Sequence, residues 1–132
     1  MQQKMNVRMS RKVRRGRGEF MGMDVLILNT VGRRSGQARE TPVAWFADGD
    51  GRLVVASGGG SQHPDWHGNL MAHPDRVSIE LPGHDAVPVT PHQLDGAERE
   101  LAWQRIAAAQ PRIAKYQSKS AREYPVIRLT PR

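Results

Sequence analysis

Three arginines and two glycines lie close together in the sequence, in a pattern that suits the binding of an anion. They are Gly32, Arg33, Arg34, Gly36 and Arg39. Glycine lets the backbone turn and approach a ligand closely, so that exposed N–H groups can face phosphate oxygens. Arginine can hold the same oxygens through paired hydrogen bonds. Taken alone, the pattern is equally consistent with a solvated turn whose arginines pair with neighbouring carboxylates.

Apolar runs flank this loop, and the chain as a whole predicts six strands. The runs cover residues 25–29, 41–47, 53–57, 77–81, 86–90 and 124–129. The turn at 48–51 contains two glycines and is typical of a hairpin. Because several connections are short, we expect antiparallel pairing, with the arginines in a tight loop between two paired strands.

Two helices complete the predicted fold. A short helix begins near Pro64 and ends before Pro74, since proline suits the first helical turn and disfavours helix in the residue before it. A longer helix covers residues 96–110, and Pro111 interrupts or redirects it. Its buried stripe is predicted to consist of Ala97, Leu101 and Ile106. Six strands with a short and a longer helix indicate a small antiparallel barrel of the α+β class.

The positive charge of the chain is concentrated at one end. Residues 1–20 contain seven basic residues and one acidic residue, whereas the remainder contains 13 basic and 12 acidic residues. We therefore divide the chain into a basic, flexible tail at 1–22 and one domain at 23–132. The nearly neutral domain argues against specific nucleic-acid binding. Contact of the tail with anionic lipid or RNA stays open as an alternative to a merely solvated terminus.

Composition excludes several classes of protein and site. The chain has no cysteine, which excludes disulfides, thiolate catalysis and cysteine-ligated metal. No apolar run approaches the ~20 residues of a membrane-spanning helix, and no apolar segment of signal-peptide length follows the basic start. We expect a cytoplasmic protein, with peripheral contact at the inner face of the membrane as the alternative that the tail leaves open. His63 and His67 have the i, i+4 spacing of two metal ligands, but no third ligand is suitably spaced, so we expect no metal site.

Two motifs together resemble the deazaflavin-dependent nitroreductase family. Residues 30–42 read T-V-G-R-R-S-G-Q-A-R-E-T-P, and residues 64–74 read P-D-W-H-G-N-L-M-A-H-P. The closing segment at 124–131 is similar as well. The resemblance implies a split β-barrel related to pyridoxamine-phosphate-oxidase-like flavoproteins. It also implies an oxidoreductase that binds reduced coenzyme F-420 and transfers hydride to a small electron-poor acceptor, such as a quinone, an activated enone or a nitro compound.

The resemblance also implies which residues form the site. The phosphate of the coenzyme would be held by Arg33, Arg34, Ser35, Gly36 and Arg39. The loop from Ser57, including Gly58 and Gly59, would lie along the deazaflavin ring. Trp66 would pack near the ring or cover the tail of the coenzyme, and Asn69 would brace the loop. Trp66 could equally be a helix anchor in the core.

Two departures from the family pattern keep an alternative function open. The loop after the third predicted strand lacks the lysine that family members often carry, and of several pocket tyrosines only Tyr116 remains. Tyr116, or water in its place, would donate the proton that accompanies reduction of the acceptor. The alternative is a non-catalytic binding or carrier protein for flavin, deazaflavin or haem. The resemblance leaves open whether the chain is a monomer or a homodimer.

Overall fold

The strands join one curled antiparallel sheet. The computed structural model of the chain describes residues 19–20, 23–57 and 64–132. Its strands are β1 (Glu19–Phe20), β2 (Met23–Val31), β3 (Ala38–Ala44), β4 (Phe46–Asp48), β5 (Gly51–Val55), β6 (Ser78–Glu80), β7 (Val87–Gln93) and β8 (Val126–Pro131). Their order is β1-β2-β6-β7-β8-β5-β4, with β3 also paired to β2. All of these pairings are antiparallel, as the sequence predicted.

The prediction of six strands is wrong, because the described residues form eight, seven of them longer than two residues. The predicted strand at 41–47 is divided at Trp45, because the Trp45 N–H still donates to the Asp24 carbonyl of β2 at 3.0 Å, whereas the chain from Phe46 onward pairs with β5. The short strand β1 pairs with the start of β2. Its residues, 19 and 20, belong to the segment predicted to be the tail. The rest of residues 1–22 lies outside the described part of the chain.

Three helices accompany the sheet, where the sequence predicted two. They are α1 (Asp65–Ala72), α2 (Gly96–Ala109) and α3 (Pro111–Lys119), and a 3-10 turn at Pro74–Arg76 follows α1. The additional helix begins at Pro111 because proline is well suited to the first position of a helix, so the residue that ends α2 also starts α3. None of the helices in the described ranges is long and apolar enough to cross a membrane.

The sheet is buried on both faces along β5 and β8. Side chains alternate along β5, so that Val54 and Ala56 face an inner cluster while Leu53 and Val55 face an outer one. The inner cluster is closed by Trp66 and Leu70 of α1. The outer cluster is covered by α2 and α3. This double burial explains why residues 53–56 read as a continuous apolar run in the sequence.

The buried stripe of α2 differs from the prediction. Ala102 and Ile106 are buried, whereas Ala97 is exposed and Leu101 is 61% exposed. The helix is rotated because Arg99 lies on its packed side, with its guanidinium 5.3 Å from the Trp103 ring and bonded to the Tyr124 carbonyl at 2.8 Å. Because a charged residue lies on the packed face of α2, a search for apolar periodicity cannot identify that face.

A network of ion pairs fastens α2 to the sheet. Asp48 accepts hydrogen bonds from Arg105 and from Nε of Arg128, both at 2.6 Å. Arg128 also donates from Nη1 to Glu98 Oε2 at 2.6 Å. The hydrogen bond from Arg128 is the main cause that lowers the pKa of Glu98. The network therefore links β4, β8 and α2 through four charged side chains.

Substitution Glu98→Gln is expected to weaken the acid sensitivity of the fold. Because the pKa of Glu98 is lower in the folded chain, its ionised form stabilises the fold above the ordinary glutamate range, about 4.3. That contribution is lost as the pH falls through the lower, folded value. Thermal unfolding between pH 7 and pH 3 should give a shallower fall in Tm for Glu98→Gln than for the unmodified chain. Glu100→Gln, at an exposed position on the same helix, is the control, and an identical profile for both variants would contradict the prediction.

Candidate functional site

The arginine loop is a tight turn between β2 and β3. Gly36 donates its N–H to the Gly32 carbonyl at 2.9 Å, and Gly32 donates to the Gln37 carbonyl at 2.8 Å. Gly36 has a φ of 70°, which L side chains rarely adopt. Ser35 lies against Gly32, where an added Cβ would be 2.5 Å from Ser35 Oγ. The turn therefore requires glycine at position 36, whereas a side chain at position 32 would require the Ser35 hydroxyl to move away.

Arg33 anchors this loop to helix α1. Its backbone N–H and its Nη1 both donate to Asn69 Oδ1, at 3.0 and 3.1 Å. Nη1 also lies 3.4 Å from the Asp65 carbonyl, and Nη2 is 3.6 Å from Asp65 Oδ1. Asn69 is 5% exposed, so one buried amide holds both the backbone and the side chain of Arg33. The loop that Asn69 contacts is thus the arginine loop.

Arg34 and Arg39 differ from Arg33 in having no side-chain partner among the described residues. Both are exposed, and within the described ranges neither makes a side-chain hydrogen bond or an ion pair. The Arg39 side chain lies beside the loop, since its Nε would be 3.7 Å from a Cβ added at Gly32. Two unpaired guanidinium groups next to a rigid turn fit an anionic ligand such as a phosphodiester with a carboxylate tail.

Helix α1 presents its backbone closely to Arg33. A Cβ added at Gly68 would lie 3.2 Å from Arg33 Cδ and 3.3 Å from Nε and Nη1. The neighbouring Trp66 is 8% exposed and belongs to the inner cluster, as the core-anchor interpretation requires. His67 on the same helix shares a 2.8 Å hydrogen bond with Gln93 at the end of β7. Helix α1 thus fixes the arginine loop against the closed end of the barrel.

Gly68→Ala is expected to separate stability from coenzyme binding. Alanine favours a helix interior by about 1 kcal/mol over glycine, so Tm should stay unchanged or rise. The added methyl group must displace the Arg33 guanidinium by a few tenths of an ångström, and we expect the Kd for coenzyme F-420 to rise about threefold. Met71→Ala, on the exposed side of α1, is the control. A Gly68→Ala variant with unchanged Kd would contradict this role of the close contact.

Ser57, at the end of β5, is bound by a residue that sequence reasoning missed. Arg122 donates from Nη1 to the Ala56 carbonyl at 3.1 Å and from Nη2 to the Ser57 carbonyl. Arg122 lies more than sixty residues from both carbonyls in the sequence, so no local sequence pattern could predict this contact. Gly58 and Gly59, predicted to lie along the ring, are outside the described residues.

Tyr116 lies apart from the contacts described above. It is 54% exposed on α3, and in the described part of the chain its phenol makes no hydrogen bond. Its backbone carbonyl accepts from the Tyr124 hydroxyl at 3.4 Å. His63 lies outside the described residues, which contain no group of three or more potential metal ligands.

The sequence matches the F-420H(2)-dependent quinone reductase family over residues 2–131. The chain belongs to this family. It is accordingly an oxidoreductase that depends on coenzyme F-420, and the predicted resemblance is confirmed. An F-420H(2)-dependent quinone reductase of Mycobacterium tuberculosis is 39% identical over 112 residues, which cover 81% of this chain and 73% of that protein.

Solved structures of relatives agree with this family and with its fold. An F-420-H2-dependent reductase superposes with a TM-score of 0.69 at 34% identity, covering 80% of this chain and 92% of that one. A chain described as a domain-swapped dimer superposes with a TM-score of 0.70 at 30% identity, covering 86% and 89%. A Listeria innocua chain assigned as a pyridoxamine 5'-phosphate oxidase has a TM-score of 0.57 at 14% identity, covering 81% and 82%, and shares the fold alone. The pyridoxamine-phosphate-oxidase-like architecture is thus confirmed.

Proposed function

We propose that this chain reduces a quinone with hydride from coenzyme F-420, and that the arginine loop binds the acidic part of the coenzyme. The observation that carries the proposal is the division of labour among the arginines. Arg33 is committed to Asn69 and Asp65, which makes the loop rigid. Arg34 and Arg39 are left without protein partners in the described ranges and are available to the phosphate. Ser35 and Gly36 complete the turn that the phosphate would meet.

The protein contributes binding and orientation in this reaction. When bound, the reduced deazaflavin supplies the hydride, and no acid or base of the protein is needed to generate it. Arg34 and Arg39 would hold the phosphate by charge-assisted hydrogen bonds, and Ser57 would lie along the ring. Trp66 of α1 packs in the inner cluster and so fixes the helix that carries Asn69. We propose that Gly58 and Gly59, beyond the described residues, continue the ring contact.

A quinone is the acceptor that the available residues favour. The family to which the chain belongs and the M. tuberculosis relative are both named for quinone reduction. The segment 110–116 retains only one tyrosine, so the cluster of pocket tyrosines associated with nitro-group reduction is missing. We therefore propose that quinones are reduced faster than nitro compounds, with activated enones as a further acceptor class.

Titration of the purified protein with reduced and oxidised coenzyme F-420, and with FMN and NADPH, tests the cofactor. We expect saturable binding of both forms of F-420 and weaker binding of FMN and NADPH. Addition of a soluble quinone to the reduced complex should then restore the absorbance of oxidised F-420 over many turnovers. Preference for FMN, or binding of F-420 without turnover with any quinone, enone or nitro compound, would contradict the proposal.

Tyr116→Phe is expected to leave coenzyme affinity unchanged and to slow turnover if the phenol donates the proton to the reduced acceptor. General-acid catalysis by a positioned side chain typically contributes ~10²-fold or more, so the change in kcat should be large. Steady-state kinetics with a quinone measures it. Equal rates for Tyr116→Phe and the unmodified chain would contradict this role of Tyr116 and assign proton donation to water.

The arrangement of the whole chain remains a prediction. We propose that residues 23–132 form the coenzyme-binding domain, and that the chain is a monomer or a homodimer. The relative described as a domain-swapped dimer makes the homodimer the arrangement to test first, by light scattering of the full chain.

A further inference from the structure

The chain leaves the sheet at the end of β5, where two backbone carbonyls are held by one side chain. Ala56 still donates its N–H to the Pro125 carbonyl at 2.9 Å, but the ladder between β5 and β8 ends at the pair of Val55 and Val126. Beyond this point the carbonyls of Ala56 and Ser57 both accept hydrogen bonds from the Arg122 guanidinium. Arg122 thus extends the order of the sheet by two residues, up to Ser57.

Arg122 is itself held in place by its own segment. Its guanidinium lies over the ring of Tyr124, with Cζ 4.9 Å from the centroid, and Tyr124 is 2% exposed. Gln117 of α3 donates to the Arg122 carbonyl at 2.8 Å and accepts from the Tyr124 N–H at 2.7 Å. A planar guanidinium presents parallel donors to two carbonyls, which a lysine ammonium cannot reproduce. The stacking on Tyr124 and the two hydrogen bonds of Gln117 therefore hold Arg122 in the position from which its guanidinium bonds the Ser57 carbonyl.

We propose that Arg122 is a positioning residue for hydride transfer, which acts by fixing the backbone at Ser57 beside the deazaflavin ring. This inference rests on the proposed function. Separate residues would then act on the two ends of the coenzyme, its phosphate and its ring. The arginine loop supplies affinity for the phosphate, whereas Arg122 sets the position of the ring relative to the acceptor. Loss of Arg122 should consequently slow the chemical step more than it weakens coenzyme binding.

Amide hydrogen exchange in the coenzyme-free protein gives the first test. Exchange at the Ala56 N–H should accelerate about tenfold or more in Arg122→Gln. The end of β5 opens more easily once the bonds from Arg122 to the Ala56 and Ser57 carbonyls are lost. Arg99→Gln is the matched control, since Arg99 also stacks on an aromatic ring and bonds the Tyr124 carbonyl without contacting Ala56 or Ser57. Equal acceleration in both variants would show that loosening of the 122–126 segment is sufficient, and would overturn the inference.

Single-turnover kinetics with a quinone gives the second test. In Arg122→Gln the rate constant for oxidation of bound reduced F-420 should fall about tenfold, because misplaced reactants lose the benefit of orientation. The Kd for the coenzyme should change less than about threefold. Arg122→Lys, which keeps the charge, should recover stability but not the rate.

Two outcomes separate the inference from the function on which it rests. An unmodified chain that turns over while Arg122→Gln reacts at the same rate would overturn the positioning role alone. An unmodified chain that binds F-420 but never oxidises it would overturn the proposed function, and the positioning role with it. Full recovery of the rate by Arg122→Lys would show that charge alone suffices and would also overturn the role.

Discussion

Arg39→Ala is expected to weaken the binding of coenzyme F-420 by about 1–3 kcal/mol, the usual cost of losing a charge-assisted hydrogen bond. The effect should be large because Arg39 has no partner in the described part of the chain and lies beside Gly32. Its removal therefore disrupts no internal ion pair, and the loss measured is that of the contact with the ligand. Fluorescence titration of the unmodified chain and of Arg39→Ala measures the two Kd values.

Arg112→Ala is the matched control for Arg39→Ala. Arg112 is also exposed, and it lies on α3, which covers the outer cluster, rather than in the arginine loop. Its substitution should leave the Kd within about twofold of the original, because an exposed charge away from the loop is screened by solvent. Equal weakening by both substitutions would mean that overall charge, rather than the loop, attracts the coenzyme. An unchanged Kd for Arg39→Ala would remove this residue from the phosphate site.

Trp66→Ala is expected to lower the free energy of unfolding by about 3–5 kcal/mol, as for other large aromatic residues truncated in a core. Trp66 is 8% exposed and packs with Leu70 in the inner cluster, so a cavity would open where α1 closes the barrel. Urea unfolding followed by circular dichroism measures the loss. Since α1 also carries Asn69, coenzyme binding should weaken in parallel.

Trp103→Ala and Trp66→Phe are the comparison variants for Trp66→Ala. Trp103 is only partly buried in the outer cluster, so its truncation should cost less than that of Trp66. Trp66→Phe retains most of the packing, and a coenzyme Kd that rises in this stable variant would demonstrate a direct contact with the ligand. A loss below about 1 kcal/mol for Trp66→Ala would contradict the core position.

Local sequence patterns located the part of the site that the chain builds from neighbouring residues. The arginine loop, the strands on both sides of it and the helix that begins after Pro64 all depend on contacts within a few residues. The same holds for the hairpin at 48–51, where Gly49 has a φ of 60°. Turn chemistry and hydrophobic periodicity therefore predicted these elements, except that the strand after the loop has other bounds than predicted, Ala38–Ala44.

Contacts between distant residues could not be predicted in the same way. The pairing of Arg33 with Asn69 joins residues 36 apart, and only this contact distinguishes the arginine that supports the loop from Arg34 and Arg39. Arg122 reaches Ala56 across 66 residues. The rotation of α2 also depends on a distant partner, because Arg99 is fixed by Tyr124. Tertiary contacts of charged side chains decided each of these cases.

The most direct test of the account is the affinity of two ligands for two proteins. The ligands are coenzyme F-420 and the same deazaflavin without its phosphate and acidic tail, and the proteins are the unmodified chain and Arg39→Ala. We predict that the unmodified chain binds the complete coenzyme about tenfold or more tighter than the truncated one. Arg39→Ala should lose affinity for the complete coenzyme alone, so that this preference largely disappears. Equal losses of affinity for both ligands would contradict the assignment of the arginine loop to the phosphate.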